Sequence, residues 1–302
     1  MKEDARIAGA PVSWGVIEIP DWGYQMSPDR VLREASSLGL SAMEAGPKGF
    51  LPEDPDEVSS ILDRYGLGLV GGFVPAILHV PGKRDEQLSL VEKRAEFFAT
   101  AGADVLVLAA FPDSDDFGEM VELDDGGWKE LFANLSRAEE IAARHGLTVV
   151  LHSHYGTAVE RDDQLWRFLE GCDMGLCLDT AHLVIGGSDP LEVAEKAADR
   201  VKLAHLKDVD TELARQMATR EIGFKEAAQR GAFLPLGDGD VDIARLLALL
   251  ERAEYNGWYV LEQDTVVETE PQENGGPITD ARKSIAFLEQ QLEELAEPGM
   301  SQ

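Results

Sequence analysis

The sequence is short of basic residues, of cysteine and of long apolar runs, and each shortage removes a class of function. Only 27 lysines and arginines face 57 aspartates and glutamates, a net charge of −30. Such a surface repels phosphate backbones and anionic membrane faces, so neither nucleic acid nor a membrane is expected as a partner. The two cysteines, Cys172 and Cys177, do not have the C-x-x-C spacing of a zinc or thioredoxin site, and two are too few for a disulfide framework. No stretch approaches the ~20 apolar residues of a membrane span. The opening segment MKEDARIAGAPVSWG lacks the apolar core of a secretory signal. A reduced, cytoplasmic protein is therefore expected. No Gly-x-Gly-x-x-Gly follows the first apolar run, which argues against a dinucleotide-binding sheet. Nor does any linker divide the 302 residues, so 1–302 reads as one domain.

What the sequence does contain is rhythm. Short runs rich in Val, Ile, Leu and Ala recur at 6–14, 41–46, 68–76, 104–111, 148–154, 174–180, 201–208 and 258–264. Near-continuous apolarity without polar alternation suits parallel strands covered on both faces. Amphipathic segments separate them, as in SPDRVLREASSLG, which opens on Ser27-Pro28 and closes on Gly39, a helix start and stop. Eight strand–helix alternations predict an α/β fold, the (β/α)₈ TIM barrel. The rhythm breaks at 208–240, where a long excursion is expected to form an active-site loop. Residues 296–302 read as a tail.

In such barrels the chemistry sits at the C-terminal ends of the strands. Here those ends carry Trp14, Glu44, His152, His154, Asp179, His182, His205, Lys207, Asp208, Glu262 and Asp264. Four of six histidines fall there; only His79 and His145 lie elsewhere. Taken singly, each has a plain structural use, such as a hydrogen-bonded strand-end histidine or an aspartate capping a turn. Taken together they are harder to dismiss, because closure of the barrel gathers strands five to eight on one side of the mouth. Buried carboxylates there would repel one another unless a cation sat between them. The mixed oxygen–nitrogen set Glu160, Asp179, His205 and Glu262 suits Mn²⁺ or Co²⁺, with Mg²⁺ and Zn²⁺ as alternatives.

Several stretches, GLCLDTAHLVIGGSDP, VKLAHLKDV, PLGDGDVDI and GWYVLEQD, resemble the xylose-isomerase-like barrels of the sugar isomerase/epimerase superfamily. APVSWGV, MEAGPKGFLP and LHSHYGTAVE are most similar to its inosose (2-keto-myo-inositol) dehydratase branch. The resemblance implies a metal centre with Asp179, His205 and Glu262 as ligands. The superfamily's first glutamate has no direct counterpart, because strand five ends in LHSH. Glu160, beyond the Gly156-Thr157 turn, can supply that carboxylate, or His152 or His154 can bind metal instead.

The expected reaction is dehydration of a cyclic keto-polyol through α-proton abstraction and an enediolate-like intermediate. Lys207 and His154 lead the acid–base candidates, with His152 and His182 beside them. Trp14 and Glu44 are expected to face the mouth opposite the metal as substrate contacts, with Thr157 and Asp208. The same centre could serve a sugar isomerase or epimerase, or a keto-glycoside eliminase. The expected partner is a small keto-sugar or keto-inositol, and a homo-oligomer is compatible.

Overall fold

A computed structural model describes residues 6–114 and 116–296. In chain order the elements are β1 (Ile7–Gly9), α1 (Pro28–Ser37), β2 (Ala42–Met43), α2 (Pro55–Tyr65), β3 (Gly68–Leu69), β4 (Gly71–Ala76), α3 (Arg84–Thr100) and β5 (Val105–Ala110). There follow α4 (Asp125–Arg144), β6 (Thr148–His152), α5 (Asp162–Gly171), β7 (Gly175–Asp179), α6 (Thr180–Ile185), α7 (Pro190–Ala197) and β8 (Val201–Leu206). The chain ends with β9 (Asp208–Val209), α8 (Thr211–Ala218), α9 (Phe224–Gln229), β10 (Phe233–Leu234), α10 (Ile243–Arg252), β11 (Trp258–Leu261) and α11 (Pro277–Ala296). Beyond Ala296, the expected tail lies outside the described residues.

The main sheet is parallel throughout, in the order β3-β2-β1-β11-β8-β7-β6-β5-β4. Its two outer members, β3 and β4, are consecutive in the chain. Val70 between them joins the edges: its N–H donates to Met43 O at 3.0 Å and its carbonyl accepts from Val105 N–H at 3.0 Å. The expected third strand, 68–76, is therefore one strand kinked where it turns from one neighbour to the other, and the barrel closes as predicted. Gly71 permits the kink, since a Cβ there would lie 1.8 Å from Val105 O.

Side-chain alternation along the strands sorts the core into two layers. Ala8, Ala42, Val70, Val105, Val107, Val150, Cys177, Leu203 and Val260 cluster inside the barrel. The intervening residues, among them Leu106, Leu108, Leu151, Leu176, Leu178, Leu206 and Leu261, join the larger core between strands and helices. The 208–240 excursion is structured: β9 and β10 pair antiparallel, and α8 and α9 form the arch between them. Among the described residues, no helix is long and apolar enough to cross a membrane.

Candidate metal centre

Two residues beyond the interior apolar layer, the same alternation delivers the polar groups. Val150 leads to His152, Cys177 to Asp179, Leu203 to His205 and then Lys207, Val260 to Glu262 and then Asp264, and Ala42 to Glu44. The register places His205 level with Asp179 on one side and with Val260 on the other. Oδ2 of Asp179 lies 3.6 Å from His205 Nδ1, and that nitrogen lies 2.7 Å from Glu262 Oε2. His152 Nε2 comes within 3.3 Å of the same Asp179 oxygen. The other Asp179 oxygen caps α6, accepting from His182 N–H at 2.9 Å, so the helix fixes which oxygen faces the centre.

Lys207 stands among carboxylates, its Nζ 2.8 Å from Asp264, 3.3 Å from Glu262 and 3.4 Å from Asp179. Burial alone would lower its pKa, but Asp179, Asp264 and Glu262 hold it well above the usual lysine value. Against the penalty of burial, Lys207 in turn keeps Asp179 well below the carboxylate range, and with His205 it holds Glu262 at about 2. Asp264 goes the other way: its burial outweighs the Lys207 charge and pushes it up to about 6. His205 is raised despite its burial, because acidic neighbours including Glu262 and Glu44 surround it. Cys177, beneath the centre, is pushed by burial up to about 11 and keeps its proton.

The donor set fits a divalent cation. One donor atom each from Asp179, His205 and Glu262 falls within 4.8 Å of the others, and His152 forms a similar triad with Asp179 and His182. His205 Nδ1 and Glu262 Oε2 are both buried and close, yet neither has a partner in hydrogen-bond geometry. A cation bridging these two atoms, with the histidine proton displaced, would satisfy both. Nε2 of His205 lies 3.0 Å from Glu44 Oε1, so Glu44 orients the ring and leaves Nδ1 for the ion, the carboxylate–histidine arrangement common around bound metals.

The other candidates fall as follows. Glu160 is not brought to this cluster: Arg220 grips both its oxygens at 2.7 and 2.8 Å, and Gly156 N–H donates to it at 3.0 Å. Trp14 does not face the mouth. It ends a 3₁₀ turn at Pro11–Trp14 that rotates it off the strand alternation, and its indole N–H donates to Glu34 at 2.9 Å in the core. Thr157 uses its hydroxyl within its own turn, on His154 O and Val159 O. Asp208 accepts from the backbone N–H groups of Val209, Gly237 and Val241 and so shapes the excursion's return. Glu44 lies against His205, on the metal side rather than opposite it.

His154 lines the cavity. Its Nδ1 pairs with Tyr155 O at 2.8 Å, which leaves Nε2 as the lone-pair nitrogen, and burial with neighbouring His152 and Lys207 pushes it down to about 3. His182 stacks beside it with ring centroids 3.8 Å apart, and its Nε2 lies 3.4 Å from Lys207 Nζ.

The cavity over this cluster measures about 380 Å³. Its apolar lining is Ile17, Ile19, Phe73, Phe111, Phe117 and Phe224, with Phe73 packed on His152. No sequence period marks them, because they come from a strand, a helix and separate loops. Asp264 was visible at a strand end, but only its distance to Lys207 marks it out.

The profile of the family described as the xylose isomerase-like TIM barrel matches residues 32–291, and the chain belongs to that family. Among individual proteins, it is 31% identical over 270 residues to an inosose dehydratase of Geobacillus kaustophilus (strain HTA426), covering 86% of this chain and 87% of that one. It is 26% identical over 274 residues to an inosose dehydratase of Lacticaseibacillus casei (strain BL23), with 87% and 90% covered. Among solved structures, an L-ribulose 3-epimerase superposes with a TM-score of 0.70 at 17% identity over 96% of this chain and 95% of that one. A 3-keto-D-glucoside 4-epimerase from E. coli gives 0.67 at 17% identity, with 95% and 99% covered. At these identities the structural likeness speaks for the fold.

Proposed function

We propose that the protein is a divalent-metal-dependent lyase that dehydrates a cyclic keto-polyol such as 2-keto-myo-inositol. Asp179, His205, Glu262 and His152 would hold the ion, with Mn²⁺ or Co²⁺ matching the mixed oxygen–nitrogen donors. When bound, the ion would polarise the substrate carbonyl and hold a neighbouring hydroxyl. The reading rests above all on His205 Nδ1 and Glu262 Oε2, close but without hydrogen-bond geometry, converging beside Asp179. The inosose dehydratases among its relatives support the substrate class.

His154 offers Nε2 to take the α-proton, because its Nδ1 is held by Tyr155 O. The Lys207–Asp264 pair can return a proton to the departing β-hydroxyl, which leaves as water. The apolar wall receives the ring's C–H face. No arginine lines the cavity among the described residues, and three carboxylates surround the Lys207 charge, so a neutral substrate fits better than a phosphorylated one.

The test is elemental analysis of the purified protein, followed by incubation of the Mn²⁺- or Co²⁺-loaded form with 2-keto-myo-inositol. Metal uptake with an ultraviolet-absorbing dione product supports the reading. Metal uptake with only an isomerised or epimerised ketone would move the assignment to the isomerase side of the family. No metal uptake would refute the centre itself.

A further inference from the structure

Glu160 and Arg220 form a two-pronged, largely buried ion pair, yet the pair takes no part in the centre. Arg220 sits at the turn between α8 and α9 with φ 59°, a left-handed conformation that a non-glycine residue adopts only when its surroundings hold it there. Its fork meets both Glu160 oxygens, its Nε–H donates to Gly118 O at 2.9 Å, and its guanidinium lies 3.9 Å from the centre of the Tyr155 ring. One side chain thus ties three loops: the turn after β6, the loop after β5 and the 208–240 excursion.

The loops so tied carry His154, which lines the cavity, and pack against His182 on α6 beside it. Tyr155 N–H donates to His182 Nδ1 at 3.3 Å, and Tyr155 O receives His154 Nδ1 at 2.8 Å. Four residues after Arg220, Phe224 at the start of α9 covers the His182 ring in a parallel stack, 5.9 Å apart and tilted by 6°. Phe224 also touches Tyr155 and Phe117, at 5.5 Å each. Glu160 itself is seated by backbone: Gly186 packs so closely that a Cβ there would lie 2.0 Å from Glu160 O.

We propose that Arg220 is a positioning residue of the active site. By gripping Glu160 it clamps the α8–α9 arch over the mouth and, through Tyr155 and Phe224, sets the orientation of His182 and His154. Glu160 is then the clamp's anchor rather than a metal ligand. The proposal rests on the proposed function only in assigning His154 to the reaction.

Arg220→Ala, Arg220→Lys and Glu160→Gln, with the Arg220→Ala/Glu160→Gln double variant, test it in the Mn²⁺-loaded full-length protein. Bound metal should match wild type in all four. Amide exchange across 211–233 should rise about tenfold in Arg220→Ala and in Glu160→Gln, and no further in the double variant, as expected for partners in one contact. Diethyl pyrocarbonate should acylate His154 and His182 faster in both. On 2-keto-myo-inositol kcat should fall with KM little changed, and Arg220→Lys, which keeps charge but loses the fork, should lie between. Loss of metal in Glu160→Gln with metal kept in Arg220→Ala would overturn the proposal, because Glu160 would then be a ligand. Unchanged exchange and acylation in Arg220→Ala would overturn it as well. These two readouts stand even if wild type leaves 2-keto-myo-inositol untouched, a result that would count against the proposed substrate alone.

Discussion

One cavity has two unlike walls, built by the same alternation. On β6, β7, β8 and β11 the third layer is His152, Asp179, His205 and Glu262; across the mouth the chain offers Ala10, Val12, Phe73 and Pro75. Both walls stand on one apolar floor, so backbone geometry does not distinguish them. The difference is that the polar wall concentrates carboxylates whose mutual repulsion is met only by Lys207 and the histidines, while the apolar wall demands nothing. Most of the polar groups gather on one half of the rim, Glu44 reaches His205 from the other, and the apolar residues there shape the cavity and exclude water.

The largest effect should come from removing a polar-wall donor. Asp179→Ala is expected to drop bound metal from about one ion per chain toward none, and activity with it, as measured by elemental analysis and turnover. Glu44→Gln keeps every proposed ligand but weakens the acceptor that orients His205. Metal affinity should fall roughly 10–100-fold in a chelator competition, the range for outer partners of ligating histidines. An unchanged affinity would place Glu44 outside the centre.

A change on the apolar wall should act on binding rather than on metal. Phe117→Ala should raise KM several-fold, by an amount on the order of that for losing one apolar contact surface, while kcat and metal content stay near wild type. Loss of metal in that variant would erase the contrast between the walls.

The smallest effect is a pH dependence of the metal-free protein. Asp264 has a folded value of about 6 against an ordinary 3.8. Folding therefore favours its protonated form, and its share of stability is complete below pH ~4 and lost as pH rises through about 6. The melting temperature of the metal-free protein should fall across that window by more in wild type than in Asp264→Asn. Glu262, held near 2, works oppositely: its share is present above its ordinary 4.5 and lost as pH falls toward 2.

The barrel was legible in the sequence because eight buried strands cannot hide their apolar runs. Asp179, His205 and Glu262 were legible because each ends such a run on its interior face. Glu160 was not: whether the carboxylate after the Gly156-Thr157 turn points inward depends on Arg220, sixty residues on, inside an excursion with no periodic signal. Trp14 misled because a single 3₁₀ turn at Pro11 breaks the alternation that its position suggested. The phenylalanine wall had no sequence signature, since neighbours in space there come from three unrelated segments.

The kink at Val70 has a consequence for the protein's behaviour in a crowded solution. Because that one residue bonds to both flanking strands, the sheet presents no free row of donors and acceptors to another chain. A side chain at Gly71 would push β4 off Val105 and unzip two edges at once, each short, apolar and ready to template aggregation. A glycine two residues below the cavity-lining Phe73 thus guards against aggregation, and its replacement should be read first in the insoluble fraction, before any assay of activity.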